Sequence, residues 1–305
     1  MKKYFTLVLF AALGLRTYAC DVCGCSLGGF SQGIMPDYSS HFVGVRYNHA
    51  TFYSSIDHSS INEGLEKSTD TYQRADLAIR YNINLRFKVN LNVPFLVNRM
   101  NGNHQTVQTS GMGDPMILFY YQFLSEKWIQ KNHFLTLGGG LKLPFGHAGF
   151  EDNGQLVNRN FQLGTGSVDF IMNGNYFYRK NKSGFMAEAS YKINTVNKAD
   201  YRFGNQFNMA ANYVFITGKN KFNFLSFCGV YAEQAARHTE KKLPVLNTGG
   251  SALFVNAGVQ YYYGKWRLGA GFQYPVIQHY QTDNLTSILT KPRFSADLIF
   301  FIGKK

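Results

Sequence analysis

Three of the four cysteines stand within six residues, as Cys20, Cys23 and Cys25. Cys-x-x-Cys spacing can chelate a soft metal or form a redox-active disulfide, and the added Cys-x-Cys supplies a third thiolate, a set that suits copper or zinc. In an oxidising compartment two of the thiols would pair instead, and Cys20 could carry a lipid. These uses stay open. Haem attachment is excluded, because Gly24 follows Cys23 where that motif requires His.

The other residues with catalytic or metal-binding chemistry are scattered. The eight histidines show neither His-x-x-His nor His-Glu-x-x-His spacing, and there is no paired-carboxylate or glycine-rich phosphate motif. The sequence therefore predicts no enzyme. Five histidines fall in segments that are predicted below to be outer loops, and we expect them to be solvated: His58, His104, His147, His238 and His279.

Residues 86 to 95 alternate strictly between polar and apolar side chains. Successive side chains of a strand point to opposite faces, so this segment predicts a strand with hydrocarbon on one side and polar groups on the other. The apolar face is formed by Phe87, Val89, Leu91, Val93 and Phe95. The polar face is formed by Arg86, Lys88, Asn90 and Asn92.

The same alternation recurs at strand length along the chain after residue 40. The fourth and ninth of the resulting segments are the least regular. Within the fifth, the glycines at 138 to 140 indicate a bend or a close backbone approach. The predicted strands are 41–53, 70–81, 84–97, 112–124, 133–145, 166–179, 184–194, 202–216, 221–233, 251–263, 265–275 and 292–303.

The predicted connections alternate in length. The odd-numbered ones, such as 54–69 and 98–111, are mostly long, whereas the even-numbered ones, such as 82–83, are short. Outer-membrane barrels show this parity, with short periplasmic turns and long outer loops. Only a closed barrel satisfies every backbone group in lipid. The sequence thus predicts an all-β fold, a transmembrane antiparallel β-barrel of about twelve strands in the bacterial outer membrane, with both termini periplasmic.

The chain before the first strand reads as two segments. Lys2 and Lys3, an apolar stretch from Tyr4 to Leu15, and the small residue Ala19 predict a signal peptide over 1–19. Residues 20–40 are rich in Gly, Ser and Cys, and they are expected to form a periplasmic segment or a plug of the barrel. The barrel itself would cover 41–305.

The net charge of +13 falls to +10 without the signal peptide, whose three basic residues leave 28 basic and 18 acidic residues. The basic residues are interleaved singly, which excludes a nucleic-acid interface. We expect them to face the lumen, where a surplus of cations would favour anionic solutes. Charge ladders that fill a narrow barrel are the alternative. The possible lumen charges include Arg46, Arg80, Arg86, Lys88, Lys142, Arg267 and Asp169.

Three stretches resemble the outer-membrane transporter family that is named for the meta-cleavage pathway of phenol degradation, a FadL-like, porin-like barrel. They run from Gly111 to Asp114, from Gly140 to Gly146 and from Leu163 to Asp169. The resemblance implies a barrel that passes small, often aromatic or hydrophobic, compounds, and it adds no catalytic residue. Phe145 stands where the family usually has Thr. The motif corners are Gly113, Asp114, Pro144, Gly166 and Asp169, and we expect the two aspartates to fix corners of the barrel.

Two functions follow as hypotheses. The first is a monomeric outer-membrane transporter or channel, surrounded by outer-membrane lipid, that passes a small solute passively. The alternative is a filled barrel whose Cys20, Cys23 and Cys25 bind copper or zinc as a binding or assembly module.

Overall fold

The computed structural model describes residues 40–57, 65–103, 106–124, 132–152, 154–219 and 222–303. The predicted signal peptide and the segment with Cys20, Cys23 and Cys25 lie outside these residues, as do His58 and His104. The described residues contain no helix that is long and apolar enough to cross a membrane.

Twelve antiparallel strands form one closed barrel, which confirms the predicted fold class. The first strand pairs with the second along its whole length and also with the last, so the sheet has no free edge over this stretch. The strands are β1 (His41–Asp57), β2 (Leu65–Asn82), β3 (Phe87–Gly102), β4a (Thr106–Met112), β4b (Met116–Leu124), β5 (His133–Lys142), β6 (Asp169–Lys180), β7 (Ser183–Ile193), β8 (Gln206–Lys219), β9 (Phe222–Ala235), β10 (Gly250–Tyr263), β11 (Trp266–Tyr280), β12a (Thr286–Thr290) and β12b (Arg293–Ile302).

Three of the predicted loops are largely strand where the structure describes them. β1 continues to Asp57 and β2 begins at Leu65, within the predicted loop 54–69. β3 continues to Gly102 and β4a begins at Thr106, so the predicted loop 98–111 is wrong. Likewise β11 continues to Tyr280, and β12a occupies much of the predicted loop 276–291. On β3 and β4a the error arises because the outer face, which carries Arg99, Asn101 and Gln108, is polar and no longer follows the lipid pattern.

The β4 and β12 strands are each interrupted at a proline, which cannot donate a ladder hydrogen bond. Pro115 separates β4a from β4b, and Pro292 separates β12a from β12b. Beside the second break the Gln278 side chain replaces part of the ladder: its Oε1 accepts from the Thr290 backbone N–H at 2.7 Å.

The two ends of the barrel differ. At one end, here called the turn end, five short connections lie beside the start of β1 and the end of β12b. The other end, the loop end, carries three long connections, 143–168, 194–205 and 236–249. Within the last two, the segments Tyr201–Arg202, Thr239–Glu240 and Leu243–Pro244 pair as a small sheet, here called the loop sheet.

The outer face of the barrel is an apolar band. On β3 the alternation holds as predicted: Phe87 and Phe95 are about half exposed, whereas Lys88 and Asn90 are buried in the interior. Exposed aromatic residues recur near both edges of this band, as in the girdles of membrane barrels. They include Tyr81, Phe123, Phe185, Tyr213, Tyr263 and Trp266 toward the turn end, and Phe95, Phe170, Phe207 and Tyr274 toward the loop end.

Glycines let the strands of the wall and their inward side chains pack closely in β5. A Cβ atom at Gly140 would lie 1.9 Å from the carbonyl oxygen of Ile117, and one at Gly138 would lie 2.3 Å from the Tyr120 ring. The predicted close backbone approach in this segment is confirmed.

Candidate functional site: two cavities along the barrel axis

An apolar layer lines the barrel interior at the turn end. Two clusters of buried side chains line the wall there, one centred on Phe177 and Val214 and the other on Phe42 and Phe301. Tyr262 packs against both clusters, and its ring stacks on that of Phe301 with centroids 6.4 Å apart. We call this set the turn-end layer.

Above this layer lies a chamber of about 170 Å³ in the middle of the barrel, whose wall is partly polar and partly apolar, the apolar part including Phe227, Val259 and Phe272. Amide, hydroxyl and charged side chains from β1, β2, β3, β10, β11 and β12b line it. They include Arg46, Asn48, Arg74, Asp76, Asn92, Asn256, Gln260, Gln273, Arg293, Ser295 and Asp297. We call this space the central chamber.

A second cavity, of about 700 Å³, opens at the loop end. Its walls come from the ends of β1 and β2, from the inward part of the 143–168 loop and from the loop sheet. Apolar residues such as Met100, Val157 and Ile288 alternate with polar ones such as Glu66 and Asn247. We call this space the loop-end cavity.

An aromatic constriction separates the two cavities. Phe161 of the 143–168 loop stacks on Tyr72 of β2 with ring centroids 5.3 Å apart, and Tyr72 meets Phe52 of β1 edge to face at 5.7 Å. Arg293 of β12b lies beneath, with its guanidinium carbon 5.6 Å from the Phe52 ring centre and 4.3 Å from that of Phe254. The rings of Phe52, Tyr72 and Phe161 line the loop-end cavity on the side that faces the central chamber.

The motif corners hold the 143–168 loop against the wall. Asp114, at the β4 break, accepts hydrogen bonds from the backbone N–H groups of Gly146 and Thr165, each at 2.9 Å, so one carboxylate ties both ends of the loop. Lys142 Nζ lies 2.7 Å from a carboxylate oxygen of Asp114 and 2.7 Å from one of Asp169. The Thr165 hydroxyl completes this group.

The glycines among the remaining motif residues allow backbone conformations and close contacts that a larger residue would disfavour. Gly166 has φ +70°, which a residue with a Cβ rarely adopts, and a Cβ at Gly113 would lie 2.9 Å from Leu96 Cδ1. Pro144 is exposed just beyond the end of β5. The structure therefore brings Gly113, Asp114, Gly166 and Asp169 together at one junction, and Pro144 beside it.

The predicted lumen charges occupy three levels. Lys142 and Asp169 form the junction just described. Arg267 starts near the turn end of β11 and is fully buried, and its guanidinium lies 2.8 Å from Asp297. Arg46 is the cross-strand neighbour of Asp297 on one side and of Asp76 on the other.

Two further predicted charges lie toward the turn end. Arg80 donates to Asn90 Oδ1 at 3.1 Å, and its guanidinium lies over the Phe42 ring. Lys88 donates to Gln122 Oε1 at 2.6 Å. Both side chains are buried inside the barrel.

The expected lumen position of Arg86 is wrong. β3 begins only at Phe87, so the strand alternation does not extend to Arg86. Asn84 Oδ1 accepts from the backbone N–H of Arg86 and fixes it in the turn. Its guanidinium donates to the Tyr121 hydroxyl at 3.0 Å, and Tyr121 points to the outer face, where it packs on Phe87.

Sequence reasoning missed Glu233, whose carboxylate makes a two-pronged ion pair with Arg293 at 2.7 and 2.8 Å. Both side chains are buried. The alternation of β9 could have identified Glu233 as a lumen residue, because Glu233 shares the inward face with Phe227 and Tyr231. Acids thus stand beside several of the buried arginines, as in a charge ladder, whereas Arg80 and Lys88 pair with the neutral side chains of Asn90 and Gln122.

One predicted surface histidine is instead buried. His238 is 1% exposed, and its Nδ1 lies 2.7 Å from the Tyr201 hydroxyl within the loop sheet. The Phe203 ring packs on it with centroids 4.9 Å apart. Burial, and to a smaller extent the charge of Lys192, lower the pKa of His238 to about 4. His238 is therefore neutral at pH 7.

No group of three or more His, Cys, Asp and Glu side chains in the described ranges is arranged to hold a metal ion. Cys228, the one cysteine within these ranges, is exposed on the outer face of β9. The predicted cluster at Cys20, Cys23 and Cys25 stays a prediction.

No family model of protein sequences matches the chain, and no curated protein matches it. Among solved structures it is similar to the COG4313 outer membrane channel from Pseudomonas putida F1, with a TM-score of 0.58 and 11% identity, over 88% of this chain and 100% of that one. This likeness shows the fold of an outer-membrane β-barrel. The resemblance to the phenol meta-pathway family stays a prediction.

Two weaker likenesses add nothing to the argument. The CymD monoaromatic hydrocarbon channel gives a TM-score of 0.48 at 9% identity, over 95% of this chain and 99% of that one. A Pseudomonas aeruginosa FadL homologue gives 0.45 at 8% identity, over 86% and 90%.

Proposed function

We propose that the protein is an outer-membrane channel for a small solute, closed in the state described here. The solute would enter the loop-end cavity, cross the aromatic constriction into the central chamber and leave through the turn-end layer. Movement of the solute would be passive.

The observation that carries this proposal is the placement of the two cavities at successive levels of one closed wall. On β1 the chamber is lined at residues 46–49 and the loop-end cavity at 52–56, and on β2 they are lined at 74–76 and 66–72. A barrel built only for rigidity would be packed along its whole axis. Here two spaces lie at successive levels inside the wall.

The proposed orientation places the turn end and both termini in the periplasm, and the loop end outside. The short turns and long loops support this assignment, since outer-membrane barrels arrange them so. We propose a monomer surrounded by outer-membrane lipid. The segment 20–40 would approach the barrel from the periplasm as a plug or tether.

Conductance in planar bilayers tests the proposal. The double substitution Phe161→Ala and Tyr262→Ala removes one ring from the constriction and one from the turn-end layer, so a folded variant should conduct several-fold more than the wild type. The matched control is Phe145→Ala with Tyr263→Ala, which removes exposed rings from the same loop and the same strand. A folded double variant that conducts no more than a protein-free bilayer overturns the proposal.

A further inference from the structure

The wall of the loop-end cavity is acidic. Among the described residues that line it, one side chain is basic, Arg159, and four are acidic: Glu66, Asp70, Asp152 and Glu240. The guanidinium carbon of Arg159 lies 5.0 Å from the ring centre of Tyr201, which also lines the cavity. The wall therefore carries an excess of negative charge, although the chain as a whole is basic.

Two of these carboxylates belong to a column of inward side chains on β2. In order from the mouth of the cavity to the aromatic constriction, alternation places four side chains on this face: Glu66, Ser68, Asp70 and Tyr72. The cross-strand neighbours of Asp70 are Phe52 of β1 and Met100 of β3, and both also line the cavity. The Asp70 carboxylate thus stands next to the ring layer, with an apolar side chain on either side.

Within the described part of the chain, the Asp70 carboxylate has a hydrogen bond but no neighbouring cation. Its Oδ1 accepts from the Ser68 hydroxyl at 2.9 Å, and none of the described Lys, Arg and His side chains forms an ion pair with it. Asp70 lies beyond the apolar band, and burial raises the pKa of its carboxyl to about 6. The charged form therefore costs free energy that the positive charge of a ligand would offset.

The rest of the loop-end cavity suits an organic molecule better than a bare ion. Its volume of about 700 Å³ falls in the range of pockets that hold small molecules. The rings of Phe52, Tyr72 and Phe161 and the side chains of Met100 and Val157 can cover a hydrocarbon body and remove it from water. A hydrated inorganic ion would leave these apolar surfaces in contact with water.

From this arrangement we infer that the loop-end cavity binds a small organic cation, an amine whose ammonium group lies near Asp70 and Glu66 and whose apolar body lies against the rings. The inference rests on the proposed channel for its physiological meaning, and it names the class of solute that the channel would admit. The basic residues of the lumen predicted a preference for anions, whereas the wall of the loop-end cavity supports the opposite preference at the entrance.

Fluorine NMR line broadening, with the refolded full chain in zwitterionic lipid nanodiscs, tests this inference without requiring transport. The probe is para-fluorobenzylammonium. Its comparisons have similar size and different charge: para-fluorobenzyl alcohol is neutral, and para-fluorobenzoate is an anion. Empty nanodiscs measure partition into lipid, which is subtracted. We expect the wild type to bind the ammonium compound most tightly and the benzoate most weakly.

Asp70→Asn keeps the size of the side chain and removes its charge. It should weaken binding of the ammonium compound about fivefold, as expected for an ion pair in a cavity that is open to water, and should leave binding of the alcohol unchanged. Glu66→Gln should weaken binding of the ammonium compound by a smaller factor. Glu151→Gln is the matched control, because Glu151 is exposed on the 143–168 loop outside the cavity lining, and it should bind as the wild type does.

Two results overturn the inference. One is a wild type that binds the alcohol or the benzoate as tightly as the ammonium compound, a comparison that needs no variant to fold. The other is equal affinity for the ammonium compound in the wild type and in folded Asp70→Asn and Glu66→Gln variants. Binding of the ammonium compound without any conductance in the folded Phe161→Ala/Tyr262→Ala variant would instead overturn the channel proposal and leave the ligand class standing.

Discussion

At the scale of single residues, Lys142 is the group on which the junction of the 143–168 loop depends. Its ammonium lies between the carboxylates of Asp114 and Asp169, and all three side chains are buried. Removing one member of such a group leaves a buried charge without compensation, which costs more than an intact group contributes.

Lys142→Met should therefore lower the free energy of unfolding by about 3 to 5 kcal/mol. Urea unfolding of the barrel in lipid vesicles measures this change. Lys241→Met, at an exposed loop position, is the control and should change stability little. An equal, small effect of both substitutions would show that the junction contributes nothing to stability.

Because of His238, the stability of the loop sheet depends on pH. Its pKa falls from 6.5 in the unfolded chain to about 4 in the folded protein, so folding favours the neutral ring. The stabilisation is complete above pH 6.5 and is lost as the pH falls toward 4, by an amount on the order of 3 kcal/mol. Hydrogen exchange over residues 236–249, corrected for intrinsic rates, should quicken in this window.

His238→Gln keeps a neutral hydrogen-bonding side chain and should abolish the dependence of this exchange on pH between 6.5 and 4. Persistence of the same pH dependence in the variant would assign it to another group.

The site could be predicted from the sequence only where a residue had a local signature. Asp114 and Asp169 stood out by their glycine-rich surroundings, and they now prove to share Lys142. Phe161 carried no such signal, because it lies in a loop whose inward fold depends on contacts with Tyr72 and other residues distant in sequence. Arg86 was misplaced because alternation was extended by one residue past the start of a strand.

At the scale of the strands, the alternation of β3 predicts which of its side chains contact lipid, and the cost of placing a charge there can be measured. Leu91 points outward near the middle of the apolar band. Leu91→Arg should destabilise the barrel in bilayers by about 2 to 4 kcal/mol, since a cation near the membrane centre is costly. Urea unfolding in vesicles measures the change.

Thr71→Arg, on the polar outer part of β2, is the control for Leu91→Arg and should cost about 0 to 1 kcal/mol, as expected near the interface. Equal costs of Leu91→Arg and Thr71→Arg would contradict the placement of Leu91 near the middle of the apolar band.

The glycines of β5 allow a second prediction at the scale of the strands, about the stability cost of adding a methyl group. Gly140→Ala places a methyl group 1.9 Å from a carbonyl oxygen of β4b, so the strands must separate, whereas at Gly139 the nearest atom lies at 3.3 Å. Gly140→Ala should cost about 1 to 3 kcal/mol or more, and Gly139→Ala less, in the same unfolding assay. A larger loss at Gly139 would contradict the described pairing.

All twelve strands could be predicted because each must present apolar side chains to lipid in its membrane-spanning part, which leaves a period of two in the sequence. Their ends beyond the membrane could not. There the outer face becomes polar, as on β3 beyond Val97, and the pairing of β3 with β4a continues by backbone hydrogen bonds that the side-chain pattern does not report.

At the scale of the whole molecule, closure was predicted because only a closed barrel satisfies every backbone group in lipid, and the barrel is closed. The division of the interior into layers was not predictable from alternation alone. An inward-facing residue fills, lines or constricts the lumen according to side-chain length and to partners across the barrel. The ion pair of Arg293 with Glu233 spans two intervening strands.

The central claim is that the two cavities form one path closed by two layers of rings. Erythritol flux into proteoliposomes, followed by stopped-flow light scattering, tests it most directly. We predict slow flux for the wild type and for Phe145→Ala/Tyr263→Ala, and several-fold faster flux for Phe161→Ala/Tyr262→Ala. Flux in the folded Phe161→Ala/Tyr262→Ala variant that equals that of protein-free vesicles would contradict the account.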